Sequence, residues 1–406
     1  MGASGRVFFL DPALGASHGH HAVVAGNYRR LLASKREVRF VGHRGGESEH
    51  PLFRHRLEDA FRVSRYGVAW IGDRRLARAA QWIAGMRRQG RGLPAAEGAG
   101  RAGAELSDAR YRALFSGLGV GAALDRLQAH LNADDDVVCL GVDPAMLAAL
   151  APRRLPARLH LLFMYPDEEF LGPATRAAYW RLAGEVSASA AGVYAELEAH
   201  ADVLRIKLQS DVAVQSTPVR IAQLAPRQSE DFTVAVLGAG RWDKAFDLLP
   251  AIVNATHALD AGIRFIIQAP APNAGLDAPL NALRAMAGVM LLPSVLSDEA
   301  YEATLRDSAL VLLAYDKERY RARGSGVLMD ALIGGRPIVA TEGTALASAI
   351  ASGAGGAGRD PESFAAAIAG LRANYSTHLA AAAAEAARRL DVLRNGPLLR
   401  ALEAGA

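Results

Sequence analysis

Short apolar runs of strand length alternate with helix-length segments along this chain, and the alternation begins twice. The first series opens with Val7–Leu10, a Gly/His loop at 15–21, a helical pattern over 22–32 and a second apolar run, Val38–Val41. Periodicity weakens over 47–100, where 74–88 reads as a helix and 89–103 as a Gly/Arg/Ala-rich loop; 111–131 is again a helix candidate. Strands at 137–140 and 159–164 flank a short helix at 144–150, followed by a broken helix over 175–200 and a last strand at 203–206. Residues 221–231, with Pro226, Gln228 and Ser229, read as a linker. The second series starts at 232–237 and turns at Gly238-Ala239-Gly240. It continues through a helix at 244–258, strands at 264–267, 289–292 and 310–314, and further segments at 280–287 and 298–306. Helices at 362–373 and 380–393 close it. Uninterrupted apolar runs suit parallel strands covered by helices on both faces.

The expectation is an α/β protein: two Rossmann-like parallel-sheet domains facing across a cleft, at 1–222 and 232–378. Residues 379–406 then supply closing helices that can pack back on the first domain. The chain has 406 residues, 51% of them hydrophobic, which is enough for two cores. Ligands of open parallel sheets sit at the carboxyl ends of the strands, and a cleft between two such domains is the natural active site.

The single cysteine, Cys139, lies in the apolar run 137–140 and reads as a buried hydrophobe; one cysteine excludes an internal disulfide and a cysteine zinc cluster. No stretch approaches the roughly 18 consecutive apolar residues of a membrane span, and the N-terminus carries no signal-peptide pattern. A cytoplasmic location is expected, with contact to the inner face of a membrane left open. The net charge is +4, with an arginine-rich stretch from Arg54 to Arg112. That stretch suits an anionic lipid surface or an acidic substrate, or is a solvated helical surface. It lacks the interleaved aromatics of a single-strand binder, and no nucleic-acid partner is expected.

Residues 323–341 read as loop, helix, tight turn and strand. Gly324, Ser325 and Gly326 let backbone N–H groups approach a ligand, and they open a helix from Val327. Gly334-Gly335 and Pro337 end that helix before the strand Ile338-Val339-Ala340. Asp330 lies on the helix within reach of a ribose hydroxyl of the same ligand. After the strand at 232–237 stand Arg241 and Lys244, three apart at an expected helix start. Cations there oppose the helix dipole unless an anion joins them, which argues for a diphosphate; pairing with Asp243 or Asp247 is the plainer reading. A dinucleotide fingerprint is broken at Asp243, where a third glycine is required, and the next strand ends on Gln268 rather than an acid.

Asp134-Asp135-Asp136 formally contains an Asp-x-Asp metal motif but reads as a solvated turn before a strand. His18, His20 and His21 surround Gly19, and the readings open there are ligand contact, a structural role or metal binding. Asp167 or Glu168, after the strand ending at Met164, is either a base or part of a solvated loop. Nucleophile-elbow and Walker motifs are absent from the sequence.

The segment Leu237-Gly-Ala-Gly-Arg241-Trp-Asp-Lys244-Ala-Phe resembles the strand–Gly–Arg–Lys–Gly–Phe opening of the donor domain of retaining GT-B glycosyltransferases, most similar to glycosyltransferase family 4. Residues 315–339 resemble that family's donor-site signature and 295–314 the element before it, so the match spans about 232–373. The resemblance implies transfer of a sugar from a nucleotide-diphosphate sugar, with retention and without a metal or added cofactor. It implies a donor site of Gly240, Arg241, Lys244, Gln268, Val295, Gly324, Ser325, Gly326, Val327 and Asp330. The chemistry is expected from His20, His21, Arg241, Lys244 and Arg323. Ala322 stands where the family carries its first Glu, and Asp330 where it carries the second. The alternatives are a nucleotide-sugar epimerase or hydrolase of the same fold and a non-catalytic nucleotide- or partner-binding protein. The partner is a nucleotide-sugar donor, with a glycan, lipid-linked or protein acceptor.

Overall fold

The computed structural model describes residues 5–12, 14, 20–42, 120–164, 173–225, 231–238, 240–271 and 275–405. The arginine-rich stretch, the helix at 74–88, the loop at 89–103, His18, Asp167, Glu168 and residues 226–230 lie outside these. The chain divides into two units, one of 1–196, 200–215 and 395–406, the other of 197–199 and 216–394. Each contains a six-stranded sheet in which every strand pair is parallel.

In the first unit the order is β2-β1-β3-β4-β5-β6, from β1 (Val7–Leu10), β2 (Val38–Val41), β3 (Asp136–Leu140), β4 (Arg158–Phe163), β5 (Gly192–Ala195) and β6 (Ala213–Val214). Helices α1 (His20–Leu32), α2 (Val120–Gln128), α3 (Pro144–Leu150), α4 (Pro173–Ser187) and α5 (Glu198–Leu208) connect them, and α13 (Pro397–Ala404) packs against β5. Cys139 is fully buried among Phe8, Leu124 and Leu161, which explains an inert thiol whose pKa burial pushes up to about 12.

Three sequence expectations fail here, in whole or in part. Residues 203–206 are helical, inside α5: His200, Ala201 and Leu204 are buried at helical spacing while Ile206 faces solvent. The broken helix expected at 175–200 contains β5, whose four residues follow an alanine-rich run and owe their extended form to pairing with β4. Of Asp134–Asp136, Asp134 is the exposed turn residue expected, but Asp135 and Asp136 are buried. Asp135 receives Arg6 at 2.7 Å, and fully buried Asp136 receives Arg36 at 3.0 Å and Arg158 at 2.7 Å, with His160 Nε2 at 2.9 Å. Burial alone would raise the Asp136 pKa, but hydrogen bonds from His160 and Arg158 outweigh it and hold the carboxyl below its ordinary range. The Arg36 guanidinium also donates to the carbonyls of Gly5 and of Leu402 in α13.

The second sheet has the order β12-β11-β10-β7-β8-β9. It comprises β7 (Thr233–Val236), β8 (Arg264–Gln268), β9 (Val289–Leu292), β10 (Leu310–Leu313), β11 (Ile338–Thr341) and β12 (Gly355–Gly358). Its helices are α6 (Leu249–Leu259), α7 (Asp277–Arg284), α8 (Asp298–Asp307), α9 (Gly326–Gly334), α10 (Ala345–Ser348), α11 (Pro361–Ala373) and α12 (Tyr375–Arg394). Strands β7, β10 and β11 are buried throughout; β10 is wholly apolar, and the other two carry one terminal threonine each. Helix α9 ends as its sequence directs, with Gly335 at φ +70 returning N–H groups to the carbonyls of Ala331 and Leu332. Among the described residues no helix is long and apolar enough to cross a membrane.

Candidate functional site

The chain lays β7, β8 and β9 outward in one direction and then returns to place β10 on the other side of β7. Crossovers therefore diverge above the β7/β10 pair and leave a crevice at its carboxyl end, where α/β sheets bind ligands. The segments that leave those two strands carry Arg241 and Lys244 after β7, and Arg323 to Val327 after β10.

The turn after β7 is not the helix start expected from sequence. Trp242–Lys244 and Phe246–Leu248 form two 3-10 turns, separated by Ala245 in the left-handed region at φ 47, and α6 begins only at Leu249, with Pro250 in its first turn. The dipole argument for an anion therefore lapses. Desolvation replaces it. The Lys244 ammonium lies 5.3 Å from the Tyr315 ring centroid, and burial together with neighbouring Arg241 lowers its pKa to about 8. A cation held this way gains from any anion that enters.

Gly238 shows how the two segments meet. Its φ is +79, and a Cβ there would stand 2.3 Å from Lys244 Nζ and 3.2 Å from Val327 Cγ2. The positive φ favours glycine there, and a Cβ would also press on the lysine tip and the first turn of α9. Its N–H donates to Gln268 Oε1 at 2.7 Å, and Gln268 Nε2 donates to the Ser294 carbonyl at 2.8 Å. Gln268 thus ties the ends of β7, β8 and β9 through backbone groups. Val295, beside it, is 78% exposed. Gly240 pairs with Pro270 in an isolated bridge.

Asp243 is the carboxylate of the crevice. It accepts from Arg241 in a two-pronged pair, Nε to Oδ1 at 2.8 Å and Nη2 to Oδ2 at 3.1 Å. Oδ2 also accepts from the Tyr320 hydroxyl at 3.3 Å and lies 4.0 Å from Arg323 Nη1. Arg323 stands over the Tyr320 ring, which packs on Tyr315. Burial would raise the Asp243 pKa; the Arg241 hydrogen bonds and the charges of Arg241, Arg323 and Lys244 hold it below its ordinary range. The pairing of Arg241 with Asp243 is the plainer reading of the sequence, and it is present. The positive charges of Arg323 and Lys244 also fall on this carboxylate. Beside them α9 opens at Ser325, which makes no side-chain cap, so its first-turn N–H groups lack that partner.

Asp330 belongs to a second cluster. It accepts from the Tyr301 hydroxyl at 3.0 Å and lies 3.8 Å from Arg220 Nε, while Arg220 also reaches Glu302 at 3.2 Å. Burial pushes its pKa up to about 7, against the pull of Arg220 and the Tyr301 hydrogen bond. In the first unit His20 is the first residue of α1, and His21 Nδ1 lies 2.6 Å from Asp11 Oδ2, directly after β1. Strand β1 is itself a switch strand, with β2 on one side and β3 on the other.

Sequence reasoning passed over Tyr315, Tyr320, Tyr301 and Arg220 as site residues and read Asp243 only as a spoiled glycine position or a surface partner. The two tyrosines at 315 and 320 were visible in the signature segment. Arg220 sits just before the polar linker and carries no local pattern.

No family model matches the chain, and no curated protein matches it. Solved structures do. The N-terminal domain of Candida albicans trehalose-6-phosphate phosphatase matches at a TM-score of 0.64 and 10% identity, over 99% of this chain and 97% of that one. Anabaena Alr3699/HepE, in complex with UDP, matches at 0.63 and 11% identity, over 98% and 100%. The pneumococcal O-GlcNAc transferase GtfA, in complex with UDP and GlcNAc, matches at 0.52 and 14% identity. That last match covers 70% of this chain and only 60% of GtfA. Such identities speak for the fold: this chain has the two Rossmann-like domains of the GT-B fold.

Proposed function

We propose that the protein is a glycosyltransferase that takes a sugar from a nucleotide-diphosphate sugar and passes it to an acceptor. The observation that carries this reading is the gathering of three cations, Arg241, Lys244 and Arg323, around Asp243 at the carboxyl end of β7 and β10. A departing nucleoside diphosphate accumulates negative charge as the glycosidic bond breaks. Cations and backbone N–H groups fixed in place stabilise that charge more in the transition state than in the ground state. Arg241, Lys244 and Arg323 supply the charge, and residues 324–327 supply amides. The UDP complexes of HepE and GtfA support the same ligand chemistry here.

The finer reading follows the family 4 resemblance: retention at the anomeric carbon, no metal, and Gln268, Val295 and Asp330 at the nucleoside. Asp330 keeps its partners Tyr301 and Arg220 in the free protein, so ribose binding there requires sharing or exchange of those contacts. We assign handling of the acceptor or the sugar to His20 and His21. A cytoplasmic setting and an anionic or membrane-surface acceptor for the arginine-rich stretch complete the proposal.

The test is to incubate the protein with a panel of nucleotide sugars and candidate acceptors and follow products by mass spectrometry. Free nucleoside diphosphate together with a glycosylated acceptor is the expected result. Sugar isomers alone would mean an epimerase, free sugar alone a hydrolase, and binding without turnover a non-catalytic protein. Absence of any nucleotide-sugar binding would remove the donor site altogether.

A further inference from the structure

We propose that Asp243 is the positioning residue of the cation crevice: it fixes the Arg241 guanidinium for a diphosphate and clasps the segment after β10 to the turn after β7. This rests on the nucleotide-sugar reading above.

Four contacts support it. Arg241 is half exposed, and a long side chain in that setting samples many rotamers at an entropic cost to any ligand that must order it. The two-pronged pair with Asp243 removes that freedom. It uses Nε and one N–H of Nη2 and so sets the plane in which the remaining donors of the guanidinium lie. The same carboxylate reaches the other segment through the Tyr320 hydroxyl and toward Arg323. Its backbone joins the segments as well, since the Asp316 N–H donates to the Asp243 carbonyl at 3.0 Å. Asp243 is only 13% exposed, so the clasp is partly shielded from solvent.

The sign of the effect separates positioning from simple charge. A carboxylate beside an anion site repels the anion, so removing its charge should tighten binding if charge were all that mattered. A positioning residue has the opposite sign. Full-length protein is titrated by calorimetry with UDP, GDP, ADP and CDP, each alone, at fixed ionic strength. Asp243→Asn is expected to weaken the tightest of these by about tenfold or more, as loss of a charge-assisted two-pronged contact would. Tyr320→Phe keeps the Arg241 pair and removes one clasp, with an expected loss of about threefold. In a double-mutant cycle, Arg241→Ala with Asp243→Asn should bind at most about threefold worse than Arg241→Ala alone, the share of the clasp, because the rest of the Asp243 effect acts through Arg241.

Circular dichroism and melting establish that each variant is folded; if Asp243→Asn is not, Tyr320→Phe and Asp243→Glu decide. An Asn variant that binds equally or more tightly overturns the positioning role while leaving the nucleotide reading intact. Fully additive losses in the cycle do the same. Failure of all four nucleotides to bind the wild-type protein overturns the nucleotide-sugar reading, and this inference with it.

Discussion

The two units build the same kind of sheet and put their charges at opposite ends of it. In the first, Arg6, Arg36, Asp135, Asp136 and Arg158 stand where β1, β2, β3 and β4 begin. In the second, Arg241, Asp243, Lys244 and Arg323 stand where β7 and β10 have ended. At the centre of the first cluster Arg36 is satisfied from within: it is fully buried and spends its donors on Asp136 and on carbonyls of Gly5, Arg6, Asp134 and Leu402. The second gathers three cations about Asp243 and holds a lysine whose pKa burial has lowered to about 8. Buried charge whose donors are met inside the fold is architecture. Half-buried cationic charge gathered at a switch point costs stability, which is the ground for the ligand proposed above.

The comparison breaks or sharpens under substitution. Asp136→Ala should have the largest effect, about 3–5 kcal/mol of lost stability in urea titration, because it strands buried Arg36. An equal loss on removing Arg241 would erase the distinction. Arg241→Ala with Lys244→Ala should reduce nucleoside-diphosphate affinity by at least about 100-fold, roughly 3 kcal/mol by calorimetry, with the melting temperature unchanged or raised.

Lys244 carries a pH signature. Its folded pKa of about 8 lies below the ordinary lysine value of 10.5, so the unfolded chain binds more protons between those values. Stability should rise as pH climbs through that window, while anion affinity falls because only the ammonium attracts the phosphate. Lys244→Met should flatten both slopes and stabilise the protein by about 1 kcal/mol at pH 7. The smallest effect belongs to Ala245→Gly. An L-residue at φ 47 is strained, and glycine should gain about 0.5–1 kcal/mol in thermal melts, offset in part by its looser unfolded chain.

The alternation of the sheets was legible because parallel strands such as Val7–Leu10 and Leu310–Leu313 are apolar without interruption and bounded by turns. The strands that escaped have no such signal. Gly355–Gly358 is Gly-Gly-Ala-Gly, extended only because it pairs with β11, and Gly192–Ala195 hides behind an alanine-rich helix end. At the candidate site the cations and the glycine loop could be read from sequence, and the structure brings Lys244 and Val327 together at Gly238. The 3-10 turns could not be read, since Ala245 offers no hint that it will take a left-handed backbone. Nor could the clasp by Asp243, whose partners at Tyr320 and Arg323 are close only after β7 and β10 have paired.

The place of α13 bears on how the protein is made. Arg36 and Leu402 are 366 positions apart, yet the buried guanidinium of one donates to the carbonyl of the other. During synthesis, domains ordinarily fold from the N-terminus as they emerge. Here the first unit must wait, with one acceptor of its most buried arginine missing, until the whole second unit has left the ribosome.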